Sequence, residues 1–121
     1  MNKHEAEIIA KLNNKGFKGF ANLIAWGNQD EYNIYYIVMQ KLGSSLKAII
    51  KTLDLPCFSL KTVVQIGLQL IERLKDLHSI DYIHLDIKPD NLLLQSSNLN
   101  SPESSIIHLI DFGISKPYML N

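Results

Sequence analysis

The segment from Leu60 to about His78 constrains this chain more than any other. Pro56 closes the sequence before it, and Ser59 is placed to cap a helix through its side-chain oxygen. Val63, Ile66, Leu70, Ile71, Leu74 and Leu77 then recur at helical spacing and form one apolar stripe. A helix of that length has to bury its stripe, so it is expected to be a central packing element. Around it, Ile8, Ile9 and Leu12 predict a helix over Glu5 to Leu12, with Gly16 as a stop. The segments "ANLIAWG" and "YNIYYIVMQ" read as strands, and "GNQDE", Gly27 to Glu31, carries the turn chemistry of a hairpin. Gly43 breaks the pattern, and Ser44 or Ser45 caps a short helix through about Thr52. After the long helix, "YIH", "NLLL" and "SIIHLI" read as short strands separated by polar loops. With no run of alternating strand and helix units, the expected class is α+β rather than doubly wound.

A length of 121 residues suits one domain. Twelve basic and twelve acidic residues cancel, which gives no support to a nucleic-acid partner or a polybasic membrane contact. A single cysteine, Cys57, excludes an internal disulfide. No apolar run reaches the ~18 residues of a membrane span, and "MNKHEAEIIAKLNN" lacks a signal-peptide core. The expectation is an intracellular chain, cytoplasmic or nuclear, without a membrane or nucleic-acid partner.

The chemistry concentrates in "HLDIKPDN", His84 to Asn91. Asp86 and Asn91 stand five apart with Lys88 between them, after a helix and before a strand. Asp111, Phe112 and Gly113 follow a second strand. Either piece alone is a weak signal; together and in order they have the spacing of a phosphoryl-transfer site. Such a site needs oxygen ligands for a hard cation and a group that orients the attacking hydroxyl. Asn91 and Asp111 supply the first, Asp86 the second, and Lys88 a charge to neutralise a transferring phosphoryl group. Pro89 biases Lys88 away from helix, and Gly113 permits a sharp turn.

These motifs, with "EYNIYYIVMQKLGSSL", "FSLKTVVQIGLQLIERLKDLHSIDYIHLDIKPDN" and "IIHLIDFGISK", resemble the eukaryotic protein-kinase family, and within it the casein kinase I branch. The resemblance runs from about Glu5 to Tyr118. It implies a partial kinase-like α+β fold: an N-lobe part at about 1–39, a hinge at 40–43 and a C-lobe part at 44–121. It further implies ATP and Mg2+ as cofactors and serine or threonine hydroxyls of a protein substrate as acceptors. Glu5, rather than Glu7, matches the glutamate that pairs with the ATP-binding lysine. Met39 matches the residue before the hinge, Gln40, Lys41 and Leu42 the hinge that meets adenine, and Leu93 the apolar residue beneath the ring. Ile9, His84 and Phe112 match members of an apolar spine joining the lobes.

Two departures qualify the resemblance. These 121 residues contain no G-x-G-x-x-G loop, no V-A-I-K strand and no A-P-E region, so the chain alone is expected to be inactive. Leu85 stands where the family usually has an arginine before the catalytic aspartate, and leucine cannot pair with a phosphate, so the expectation is no control by activation-loop phosphorylation. The alternatives are a pseudokinase or scaffold, or a truncated kinase fragment without a separate function.

Overall fold

The computed structural model describes residues 3–118. Helix α1, Lys3–Asn14, buries Glu5, Ala6, Ile8, Ile9 and Leu12, the face that the apolar spacing anticipates. Gly16 follows with φ +71°, a conformation that favours glycine at a helix end. Strands β1, Leu23–Gln29, and β2, Ile34–Met39, pair antiparallel as the expected hairpin. The turn falls later than "GNQDE" suggests. Gly27 pairs with Tyr36 and Asn28 with Tyr35, so the strand runs through Gln29. Asp30–Tyr32 makes a 3-10 turn closed by Asn33 at φ 50°, where asparagine tolerates the left-handed region.

Ser45 caps α2, Leu46–Ile50, by accepting from Ala48 N at 3.1 Å. Ser59 caps α3, Leu60–Ser79, by accepting from Thr62 N at 3.2 Å. Ser59 is the cap expected, and of Ser44 and Ser45, both open in the sequence, the structure selects Ser45. The stripe on α3 does not behave as a central element among the described residues. Leu77 is buried and Ile66, Leu70 and Leu74 are partly buried, but Val63 and Ile71 are exposed. The buried face of α3 carries Arg73 beside Leu77. The helix therefore packs along one side only.

Beyond α3 come β3, Tyr82–Ile83, β4, Leu92–Leu94, β5, Ile107–Leu109, and β6, Lys116–Pro117. Strand β4 pairs antiparallel with β5, and β3 with β6, giving with the hairpin three two-stranded sheets. The sequence did not announce β6. The loop "QSSNLNSPESS" is polar as expected, though Pro102–Ser105 forms a 3-10 turn within it. One core joins the parts: Ile8, Ile9, Leu12, Phe20, Leu46, Leu77, Tyr82, Leu92, Ile107, Leu109 and Phe112 pack together. The mixed α+β expectation holds.

Candidate active site

The loop between β3 and β4 is built from its first residue. His84 is buried, and its Nε2 lies 2.8 Å from the carbonyl of Ile110. A carbonyl only accepts, so Nε2 carries the proton and Nδ1 is left to accept. Nδ1 does so from the backbone N–H of Asp86, at 3.1 Å. The imidazole thus ties the loop to the end of β5. Leu85, between them, is exposed and adopts φ 69°, which turns the chain between the buried His84 and the partly exposed Asp86.

Asp86 is the centre of the loop. Asn91 Nδ2 donates to its backbone oxygen at 2.9 Å and to its Oδ2 at 3.2 Å. Lys88 Nζ stands 3.6 Å from its Oδ1. Pro89–Asn91 forms a 3-10 turn, which brings Asn91 back over Asp86. Asn91 is buried, and both of its bonds to Asp86 use its nitrogen, so the amide oxygen is oriented away from Asp86. Lys47 on α2 holds Asp90 at 3.2 Å, and that bond keeps the Asp90 carboxyl below its usual range.

Asp111 comes alongside because β4 and β5 pair. Ile110 N donates to Asn91 O at 3.0 Å, one residue before Asp111. Asp111 is exposed at φ 63°, and its Oδ1 accepts from Gly113 N at 3.2 Å, which shapes the turn. Phe112 inverts the direction: its ring packs edge-on to His84 at 5.3 Å and near Phe20 at 6.2 Å. Its backbone N–H donates to Glu5 Oε1 at 3.2 Å. Glu5 is buried, and burial raises its pKa; the bond from Phe112 opposes the rise and the charge of Asp111 adds to it. Glu7 instead sits on the surface, 3.8 Å from Lys3.

The other candidates lie on the connection from β2 to α2. Met39 ends β2 and is partly buried. Gln40 N donates to Asn22 O at 2.8 Å, and Gln40 Oε1 accepts from Asn22 N at 3.2 Å. Lys41 is exposed and Leu42 partly buried. Gly43 N donates to Leu94 O at 2.7 Å, and Ser45 bridges Leu93, so this connection lies against β4. A side chain at Gly43 would meet the backbone of Ser96 at 2.6 Å. Ile9, His84 and Phe112 are all buried.

Three residues escaped the sequence reading. Ser115 is buried and its Oγ donates to His84 O at 3.2 Å, while its carbonyl accepts from His4 Nε2 at 2.7 Å. A small polar residue two positions beyond a glycine gives no sequence signal. His108 on β5 is buried, and desolvation lowers its pKa. Arg73 is buried on α3, and its register with Leu70 and Leu77 was the available signal. Among the described residues no cluster of three or more His, Cys, Asp or Glu could hold a metal ion, so any cation here would rest on fewer protein ligands. No described helix is long and apolar enough to cross a membrane.

The protein kinase domain family matches residues 2–120. Casein kinase I homolog RAG8 of Kluyveromyces lactis is 38% identical over 103 residues, covering 85% of this chain and 18% of the relative. Casein kinase I homolog 1 of Saccharomyces cerevisiae is 42% identical over 93 residues, covering 77% and 16%. Casein kinase I homolog 2 of the same yeast is 39% identical over 103 residues, covering 85% and 18%. The chain therefore spans under a fifth of the length of these relatives while most of it aligns with them, and it belongs to the protein kinase domain family as a casein kinase I-like member.

Proposed function

We propose that this chain is the central part of a serine/threonine protein kinase domain that transfers phosphate from ATP, with Mg2+, to protein hydroxyls. The observation that carries the reading is the Asp86–Asn91–Lys88 network lying beside the Asp111 turn. About 1–39 would contribute to the N-lobe, 40–43 form the hinge and 44–121 begin the C-lobe.

The donor set fits magnesium. Asn91 spends its amide nitrogen on Asp86 and keeps its oxygen for another partner, and Asp111 offers an exposed carboxylate. Two hard oxygen donors suit a cation that retains waters and takes the rest of its shell from nucleotide phosphates. Bound with ATP, the metal would neutralise phosphate charge. Asp86 accepts the proton of the substrate hydroxyl or orients it. Lys88, on the same carboxylate, offers its charge to the transferring group. Gln40, Lys41 and Leu42 meet the adenine edge through their backbone, Met39 borders it, and Leu93 supports the ring from below. Glu5 has its buried carboxylate on Phe112 N and anchors the turn that carries Asp111.

Calorimetry with ATP, with and without magnesium, tests the assignment. Binding should require both together, be lost in Asp111→Ala and be largely kept in Asp86→Ala. Equal magnesium–ATP binding by Asp111→Ala would remove Asp111 as the metal ligand.

A further inference from the structure

The outer edge of β5 is satisfied by side chains and a loop rather than by a third strand. Gln69 and Arg73 stand one turn apart on α3. Gln69 Oε1 accepts from Ile107 N at 2.8 Å, and Arg73 Nε donates to Ile107 O at 3.0 Å. The next outward group, Leu109 N, donates to Gly19 O at 2.9 Å. Gly19 belongs to the connection between α1 and β1. It adopts φ +81°, and a Cβ there would lie 1.6 Å from Arg73 Nε and 2.3 Å from its Cζ. The guanidinium therefore rests directly on the Gly19 backbone. Arg73 is only 5% exposed, and among the described residues its one ion-pair partner, Glu72 at 3.9 Å, is on the surface. A charge buried this deeply is an expensive way to satisfy one carbonyl, which a neutral donor would serve as well.

The position of this contact suggests its use. Downstream, β5 leads through Ile110 to Asp111 and Phe112. On the other side, the connection carrying Gly19 follows α1, which supplies Glu5 to Phe112 N. Phe20, next to Gly19, lays its ring near Phe112. Two routes from the Arg73–Gly19 contact thus converge on the same turn.

We propose that Arg73 is a positioning residue for the Asp111 turn: by seating its guanidinium on Gly19 and Ile107 it sets where the α1–β1 connection meets β5, and so holds Glu5 and Phe20 on Phe112. Its importance for nucleotide binding rests on the kinase reading above; its effect on the turn does not. Arg73 touches neither nucleotide nor metal in this role. Arg73→Lys keeps the charge but cannot cover Gly19 with a planar fork.

Amide hydrogen exchange on the full chain, without nucleotide, provides the test. In Arg73→Lys the protection of Phe112 N–H should fall by about tenfold or more relative to amides in the middle of α3. Gly19→Ala should do the same. Gln69→Met removes the bond from Ile107 N and the weaker 3.4 Å one from Arg73 Nη2 but leaves the contact of the guanidinium with Gly19 in place, and should keep the Phe112 ratio within about twofold. An unchanged ratio in Arg73→Lys overturns the proposal, as does an equal fall in Gln69→Met. Unfolding of both Arg73→Lys and Gly19→Ala overturns it too, since the contact would then be a condition of folding in general. Magnesium–ATP calorimetry on the same variants separates this from the functional reading: a Phe112 effect without nucleotide binding in any protein sinks the kinase assignment and leaves the positioning role standing.

Discussion

Leu85 is the most strained residue of the candidate loop for its type. A non-glycine side chain in the left-handed region costs roughly 1–2 kcal/mol, and Leu85 sits there at φ 69° with its side chain exposed. Asparagine tolerates that region better. Leu85→Asn should therefore raise stability by up to about 1 kcal/mol in urea titration, with the His84–Asp86 bond intact; a loss of stability would mean that the Leu85 side chain packs on something in solution. Asp111 has the same backbone sign at φ 63°, but its carboxylate bonds Gly113 N, which offsets part of the strain. His108 sets a pH dependence. Desolvation lowers its pKa, the charge of Arg73 lowers it further, and the bond to Ile106 O opposes both. A depressed folded pKa favours the neutral ring in the native state. Its stabilisation is full above the unfolded value near 6.5 and is lost as pH falls through the folded pKa. Stability should thus decline below about pH 6.5, and His108→Gln should flatten that slope, as read by melts at several pH values.

At the scale of elements, the caps carry the local code. Ser45 and Ser59 each accept from an N–H of the first helical turn, which has no partner within the helix. Ser59→Ala should cost about 1 kcal/mol, and Ser45→Ala a similar amount, seen as a shift in denaturant midpoint. A double variant whose effect is the sum would agree with two independent caps. The hairpin turn behaves differently from its sequence signal. "GNQDE" contains the right residue types, but the cross-strand register of Tyr35 and Tyr36 against Asn28 and Gly27 carries the strand to Gln29. Gly27 lies beside the exposed Tyr36 side chain, whose Oη a Cβ would meet at 2.6 Å and push aside, and it sits within the strand rather than in the turn. Asn33 is the turn residue by conformation. Asn33→Val should destabilise the hairpin by roughly 1–2 kcal/mol, whereas Asn33→Gly should be close to neutral; thermal melts would separate the two.

Across the whole molecule, the apolar surface is unevenly covered. Leu60, Leu68 and Ile71 on α3 are 80%, 63% and 66% exposed, and Ile24, Ile34 and Val38 of the hairpin are exposed as well. Below the candidate loop a cavity of about 320 Å3 opens between Leu46, Phe58, Ile66, Leu70, Ile87 and Leu92. Exposed apolar patches of this kind drive association. The 121-residue chain should melt with low cooperativity and self-associate, and Leu68→Lys with Ile71→Lys should reduce the association in sedimentation without lowering the melting midpoint. The same chain should transfer little phosphate to casein, since no glycine loop lies within it to position the phosphates; turnover abolished by Asp86→Asn would contradict that. The sequence by itself determined the helices, their caps, the pairing of the hairpin and the spacing of Asp86, Lys88, Asn91 and Asp111. These rest on local periodicity, on hydrogen bonds a few residues apart and on chemistry that needs fixed residue types. Only the tertiary structure decided that Arg73 is buried against Gly19, that Ser115 joins His4 to the backbone of His84, and that α3 covers only one side of its stripe. Each of those depends on segments distant in the chain meeting in space, and no local pattern encodes which polar side chain will receive a partner there.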